Sequence, residues 1–162
     1  YRRQYGFNAI SLMPTNLYGP GDNFDLESSH VLPALLRKCH EAKVNRASHV
    51  GVWGSGSPRR EVLHVDDLAD ASVFLMQNYD EEDIINVGVG DDISIRELVE
   101  LIAECVGYGG DLEFDASKPD GTPRKLLDVS RLFALGWRPK VAFRDGVRET
   151  YEWYLEHEAV AI

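Results

Sequence analysis

The sequence predicts an α/β fold. Five short runs, most of them rich in Val, Ile or Leu, alternate with segments of helical periodicity. The composition, 44% hydrophobic and 27% charged, is that of an ordinary globular chain rather than a disordered one. The length of 162 residues suits about one domain with a real core.

The first residues, 1-YRRQYGFN-8, read as the last turn of a helix closed by Gly6. The chain is therefore expected to continue a helix begun upstream. They hold charge but no apolar stretch, unlike a secretory leader. Ala9–Met13 is the first strand. The polar stretch 14-PTNLYGPGDNF-24 follows it directly and reads as a loop, at the kind of strand end where open α/β sheets bind ligands. His30–Ala42 is helical, with Pro33 tolerated in the first turn. Val50–Trp53 and Glu61–Val65 are strands. Asp66–Asn78 is a helix for which Asp66 or Asp67 serves as N-cap. Ile84–Val87 is a strand. Ile95–Val106 is the clearest helix: Ser94 and Glu97 form a capping box, apolar residues recur at helical spacing, and Gly107 stops it. Asp111–Phe114 is a strand, and Ser130–Leu135 and Phe143–His157 are helices. Gly19–Ser29 and Ala116–Lys125 are long for simple connections, as functional loops often are.

Bulk properties exclude several functions. A net charge of −10 and a pI near 4.9 disfavour nucleic acid as a partner. No apolar run approaches the ~20 residues of a membrane span. Cys39 and Cys105 both fall in helical segments, which disfavours a disulfide framework and fits a reducing cytoplasm. The five histidines lack the spacing of metal ligands. Gly88-Val89-Gly90 is not a dinucleotide fingerprint, and there is no P-loop.

Three polar clusters can carry chemistry. The first is the opening loop with His30, either a polar helix-start residue or a general acid or base. The second is 53-WGSGSPRREVLHVDD-67. Trp53 offers a flat face for a base or sugar, and the Arg59–Arg60 pair suits phosphate oxygens. A turn with a solvated charge pair is the alternative. The third is 115-DASKPDGTPRK-125, where Lys118, Arg124 and Lys125 surround a Pro/Gly turn and Asp120 can accept bonds from sugar hydroxyls. A surface turn of mixed charge fits it equally.

Taken in order, the segments PTNLYGPGDNF, SHVLPALLRK, VWGSGSPRREVLHVDDLA, INVGVGDDISIRELVELIAECVGY and FDASKPDGTPRKLLDVSRLFALGW resemble the C-terminal part of the GDP-L-fucose synthases, which are extended short-chain dehydrogenase/reductases. The P-x-N-x-Y-G-P and R-E-x-x-x-V-x-D-x-A patterns are shared across the extended superfamily. The DNF loop, the S-H-V-x-P-A helix start and S-K-P-D-G-T-P-R-K are more specific. The resemblance runs from Tyr1 to about His157.

It implies the C-terminal portion of an NAD(P)-binding, Rossmann-type fold. The last parallel strands lie at about residues 7–19 and 61–90, joined to a small substrate-binding α/β domain. The cofactor-binding half, with its Gly-rich loop, Ser, Tyr-x-x-x-Lys and epimerisation Cys, is expected upstream of residues 1–162. The implied reaction epimerises GDP-4-keto-6-deoxy-D-mannose and reduces it with NADPH to GDP-L-fucose. By motif position, Pro14, Thr15, Asn16 and Leu17 meet the nicotinamide end of the cofactor. His30 lies near the cofactor and acts as an acid in epimerisation. Trp53, Arg60 and Asp120 contact substrate. Lys38 stands where the family often has Arg, keeping the charge but losing the planar fork. Lys125 or Lys38 joins Arg60 as a cation for the GDP pyrophosphate. The isolated chain is expected to lack reductase turnover and, with strand edges and apolar faces exposed, either to associate with another copy or to adopt a rearranged fold. Other readings are a nucleotide-sugar binding module, a partner-binding remnant, or another extended sugar-nucleotide epimerase or dehydratase.

Overall fold

The computed structural model describes residues 1–159. The chain opens with α1 (Arg2–Tyr5), closed by Gly6 in the left-handed region. Next come β1 (Leu12–Pro14), β2 (Asn16–Tyr18), α2 (Val31–Val44) and β3 (His49–Trp53). The middle holds β4 (Arg59–Arg60), β5 (Val62–His64), α3 (Val65–Asn78), β6 (Ile85–Val87), β7 (Ile93–Ser94) and α4 (Ile95–Val106). The rest comprises β8 (Asp111–Asp115), β9 (Arg124–Lys125), α5 (Ser130–Ala134) and α6 (Phe143–His157).

The expected α/β class holds, and its main pairings are parallel. β1 pairs with β6 (Leu12 opposite Ile85) and β2 with β5 (Asn16 opposite Val62). β3 pairs with β8 (Val50 opposite Leu112). β4 is flanked by antiparallel β7 and parallel β9. The stretch after β1 is thus not a plain loop. The chain leaves β6 at Pro14, and Thr15 N donates to Val87 O at 3.0 Å. One residue later Asn16 starts a strand along β5. The polar sequence hid this strand because its partners lie far along the chain.

Two cores form. One packs β5 and β6 against α3 and α5 through Leu63, Leu75, Ile85, Val87 and Leu132. The other packs α2, α4 and α6 on β3 through Leu36, Val52, Leu98, Ile102 and Tyr154. α4 is amphipathic as expected. Leu98, Val99 and Ile102 are fully buried, and each contributes roughly 1.5–3 kcal/mol. Ser94 Oγ accepts from Glu97 N while Glu97 returns a bond to Ser94 N, completing the capping box. Gly107 ends the helix at φ 75°, a conformation that favours glycine.

The start of α3 differs from the expectation. Its N-cap is His64, whose Nδ1 accepts from Asp66 N at 3.3 Å. Asp66 and Asp67 occupy the first turn, where negative charge suits the helix dipole. Asp67 is buried and accepts bonds from the backbone N–H groups of Lys140 and Val141, which fixes the approach to α6.

Candidate functional site

A cleft of about 730 Å³ opens where β1 hands over to β2. Pro14, Thr15, Asn16 and Leu17 form one wall, and Lys125 to Leu127 line another. His30 lines the same cleft. It is the N-cap residue of α2 in extended geometry, yet its ring makes no capping bond, so the imidazole is not committed to the helix.

The Gly19–Ser29 connection is held by its own polar groups. Asp25 Oδ1 accepts from Glu27 N, Ser28 N and Ser28 Oγ, bonds that hold its carboxyl below the usual range, the Ser28 hydroxyl foremost. Phe24 anchors the loop in the core, its ring 4.8 Å from that of Tyr154, while Arg37 donates to Phe24 O. These bonds explain why a loop so polar is ordered.

A smaller pocket, of about 160 Å³, holds Trp53, Arg60 and Asp120. Val31 lines it too, next in sequence to His30, so the first residues of α2 separate the two hollows. Trp53 is 71% exposed. Lys38 Nζ lies 5.7 Å from its ring centre and Lys118 Nζ 5.8 Å, within reach of cation–π attraction. Lys38 reaches this site beside Trp53 and donates to Gly51 O at 3.4 Å, rather than lining either hollow. Arg60 Nη1 donates to Arg59 O and Thr122 O, which pins the guanidinium over the Gly121 turn. Asp120 receives bonds from the Ser55 hydroxyl and Ser55 N, which hold its carboxyl below the usual range and tie the Gly54–Ser57 turn to the SKPDGTPRK segment.

Pro14, Thr15, Asn16, Leu17, His30 and Lys125 therefore share the larger cleft, while Trp53, Arg60 and Asp120 share the smaller one. Asn16 does not project freely: its Nδ2 donates to Glu61 O at 2.8 Å.

Three carboxylates escaped the sequence reading. Asp22 lines the larger cleft, burial pushes its carboxyl upward, and its Oδ2 is buried with no hydrogen-bond partner among the described residues. The buried Asp92 side chain is bound by Arg124 and Arg59, which hold it below the usual range and bring β9 against β4 and β7. Glu61 is 0% exposed and accepts three backbone N–H bonds. A carboxylate heading an apolar strand was its signal, since such residues are almost never fully buried unless paired. The described residues hold no metal-binding group of His, Cys, Asp and Glu, and no helix long and apolar enough to cross a membrane.

Comparison with known proteins gives this geometry a family. The profile of the NAD dependent epimerase/dehydratase family matches residues 1–88, more than half of the sequence. The chain belongs to the NAD dependent epimerase/dehydratase family. Within it, GDP-L-fucose synthase 1 of Arabidopsis thaliana is 62% identical over 97% of this chain and 49% of its own length. GDP-L-fucose synthase of Escherichia coli (strain K12) is 54% identical over 98% of this chain and 52% of its own. The solved structure of a GDP-L-fucose synthetase from Naegleria fowleri bound to NADP superposes with a TM-score of 0.88 at 35% identity. That match covers 93% of this chain and 47% of the other. The chain thus spans about half the length of the curated relatives it matches. Its fold corresponds to the C-terminal portion of the Rossmann-type, extended members of this family.

Proposed function

We propose that the chain forms the sugar-nucleotide side of an NADPH-dependent epimerase/reductase that converts GDP-4-keto-6-deoxy-D-mannose to GDP-L-fucose. The observation that carries this is the adjacency of the two hollows at the start of α2. One is walled by a strand-end segment with an uncommitted imidazole. The other offers an exposed indole between two lysines, beside a fixed guanidinium. The kinship with GDP-L-fucose synthases at 54–62% identity supports the same reading.

The residues fit a dinucleotide's nicotinamide end at the larger cleft. Its wall from Pro14 to Leu17 is pinned from both sides, and the unpartnered Asp22 Oδ2 marks a place for a donor. When bound, NADPH supplies the hydride. His30 holds the proton that is delivered to the enolate carbon once a base on the opposite face has taken the C–H proton beside the ketone. Trp53 gives a face on which guanine or sugar stacks. Arg60, Lys125 and Lys38 set positive charge against the pyrophosphate.

Binding and turnover separate in this reading, because the isolated chain is expected to bind GDP without consuming NADPH. Calorimetric titration with GDP tests the first part. The absence of both heat and thermal shift at millimolar GDP would overturn it. An NADPH-oxidation assay with the ketosugar tests the second, where an enzyme-like rate from this chain alone would refute the expectation.

A further inference from the structure

We propose that Glu61 is a positioning residue, whose buried carboxylate fixes the two walls of the larger cleft relative to each other and so governs its hold on a ligand. Glu61 sits between β4 and β5 and does not itself line the cleft. It acts through the residues that do.

Each polar group of Glu61 binds one part of the surroundings. Its carbonyl accepts from Asn16 Nδ2 at 2.8 Å and Thr15 Oγ1 at 3.2 Å, on the first wall. Its own N–H donates to Lys125 O at 3.1 Å, on the second. Oε2 accepts from Leu127 N at 2.9 Å, two residues further along that wall. Oε1 accepts from both Val89 N and Gly90 N at 2.8 Å, in the turn that leaves β6. β6 is the strand that flanks β1, so the turn ties the carboxylate back to the first wall.

The chemistry of this arrangement requires a charge. A buried carboxylate is costly unless its oxygens are hydrogen-bonded. Here both oxygens are occupied, and every partner is a donor. A glutamine has the same shape but one oxygen and one NH2 group. Whichever way it turned, the NH2 would face N–H groups, those of Val89 and Gly90 or that of Leu127. The lost bond would free one wall. Gly88 keeps room for this geometry, since a Cβ there would lie 2.8 Å from Glu61 Cδ.

The ligand clause rests on the proposed function, and the positioning clause does not. The test therefore reads both in wild type, Glu61→Gln and Glu61→Ala. Amide exchange followed by NMR is expected to accelerate at least about tenfold at Val89, Gly90 or Leu127 in Glu61→Gln, while Ile102 and Val106 of α4 change less than about twofold. Formate at about 0.1 M is expected to restore protection in Glu61→Ala, which has room for it, and not in Glu61→Gln. GDP affinity, which reads the larger cleft through Lys125 set against the pyrophosphate, is expected to fall and recover in parallel. If Glu61→Gln does not fold, Leu127→Pro removes one donor and keeps the charge. Exchange is then expected to accelerate at Lys125 and Leu126 while Val89 and Gly90 stay protected. Wild-type protection in Glu61→Gln, or uniform acceleration in Leu127→Pro, overturns the proposal. Wild type that binds no GDP, alongside the expected exchange pattern, overturns the ligand reading and upholds the positioning role.

Discussion

Replacing Gly88 with alanine adds a single methyl group beside the most buried charge of the molecule. Its Cβ would sit 2.8 Å from Glu61 Cδ and 3.1 Å from Oε2, and closer still to Oε1. Gly88 is buried and its backbone is not in the left-handed region, so the conflict is steric rather than conformational. The carboxylate cannot retreat without lengthening bonds to Val89, Gly90 or Leu127. Overpacking of this kind costs about 1–3 kcal/mol. Losing one hydrogen bond to a charged group adds roughly 1.5–3 kcal/mol. The sum, on the order of 2.5–6 kcal/mol, is a large part of the roughly 5–15 kcal/mol that stabilises a typical domain. A loss of about 3 kcal/mol would lower Tm by roughly 6–12 °C in a chain of this size. Gly51 is the control: it too has an ordinary backbone, and nothing lies within 4 Å of an added Cβ. Gly51→Ala is expected to be neutral or to stabilise by up to about 1 kcal/mol through the unfolded state. Urea unfolding followed by circular dichroism measures both. A Gly88→Ala midpoint matching that of Gly51→Ala, with unchanged slope, would refute the reasoning.

Other expectations follow from single contacts. Ser94→Ala removes the capping box of α4 and should cost about 1 kcal/mol in urea unfolding; a cost near zero would show that packing alone holds the helix end. The folded state raises the Asp22 carboxyl above its ordinary 3.8, so it binds that proton more tightly than the unfolded chain does. The stabilising contribution is full below about pH 3.8 and is lost as pH rises through the raised value. Asp22→Asn should therefore match wild type in strongly acidic solution and gain on it towards neutrality, and a pH-independent difference would contradict this. Trp53→Ala should weaken GDP binding about tenfold or more, since base stacking contributes roughly 1–3 kcal/mol. Unfolding should barely change, because the ring is 71% exposed; equal affinity would remove Trp53 from the site.

Legibility in the sequence followed locality. α4 was readable to the residue because cap, periodicity and stop lie within one segment. α6 was likewise readable at both ends. β1 was placed early, at Ala9–Met13 rather than Leu12–Pro14, because the apolar run does not mark where β6 pairs with it. β4, β7 and β9 are two-residue strands with Arg, Ser and Lys in them. Their only cause is register with distant neighbours, which leaves no periodic trace. The candidate site shows the same division. Trp53, Arg60 and the strand-end loop could be singled out as residue types suited to ligands. Glu61 looked like the first residue of a strand, and only the fold shows the three amides that converge on it. His64 as a cap was missed because Asp and Asn are the commoner choices at that position.

The crossing at Thr15 has a kinetic consequence. The bonds that fix this point reach from Thr15 and Asn16 to Glu61, 46 and 45 residues away, and from Glu61 to Leu127, 66 residues away. Long chain loops must close before any of these contacts forms, whereas α4 needs only its neighbours in sequence. Pulse-labelled refolding should therefore protect the α4 amides before that of Leu127, and the reverse order would contradict the argument. A cleft assembled this way is expected to form after the local helices and to be exposed to interruption by mistakes in strand order.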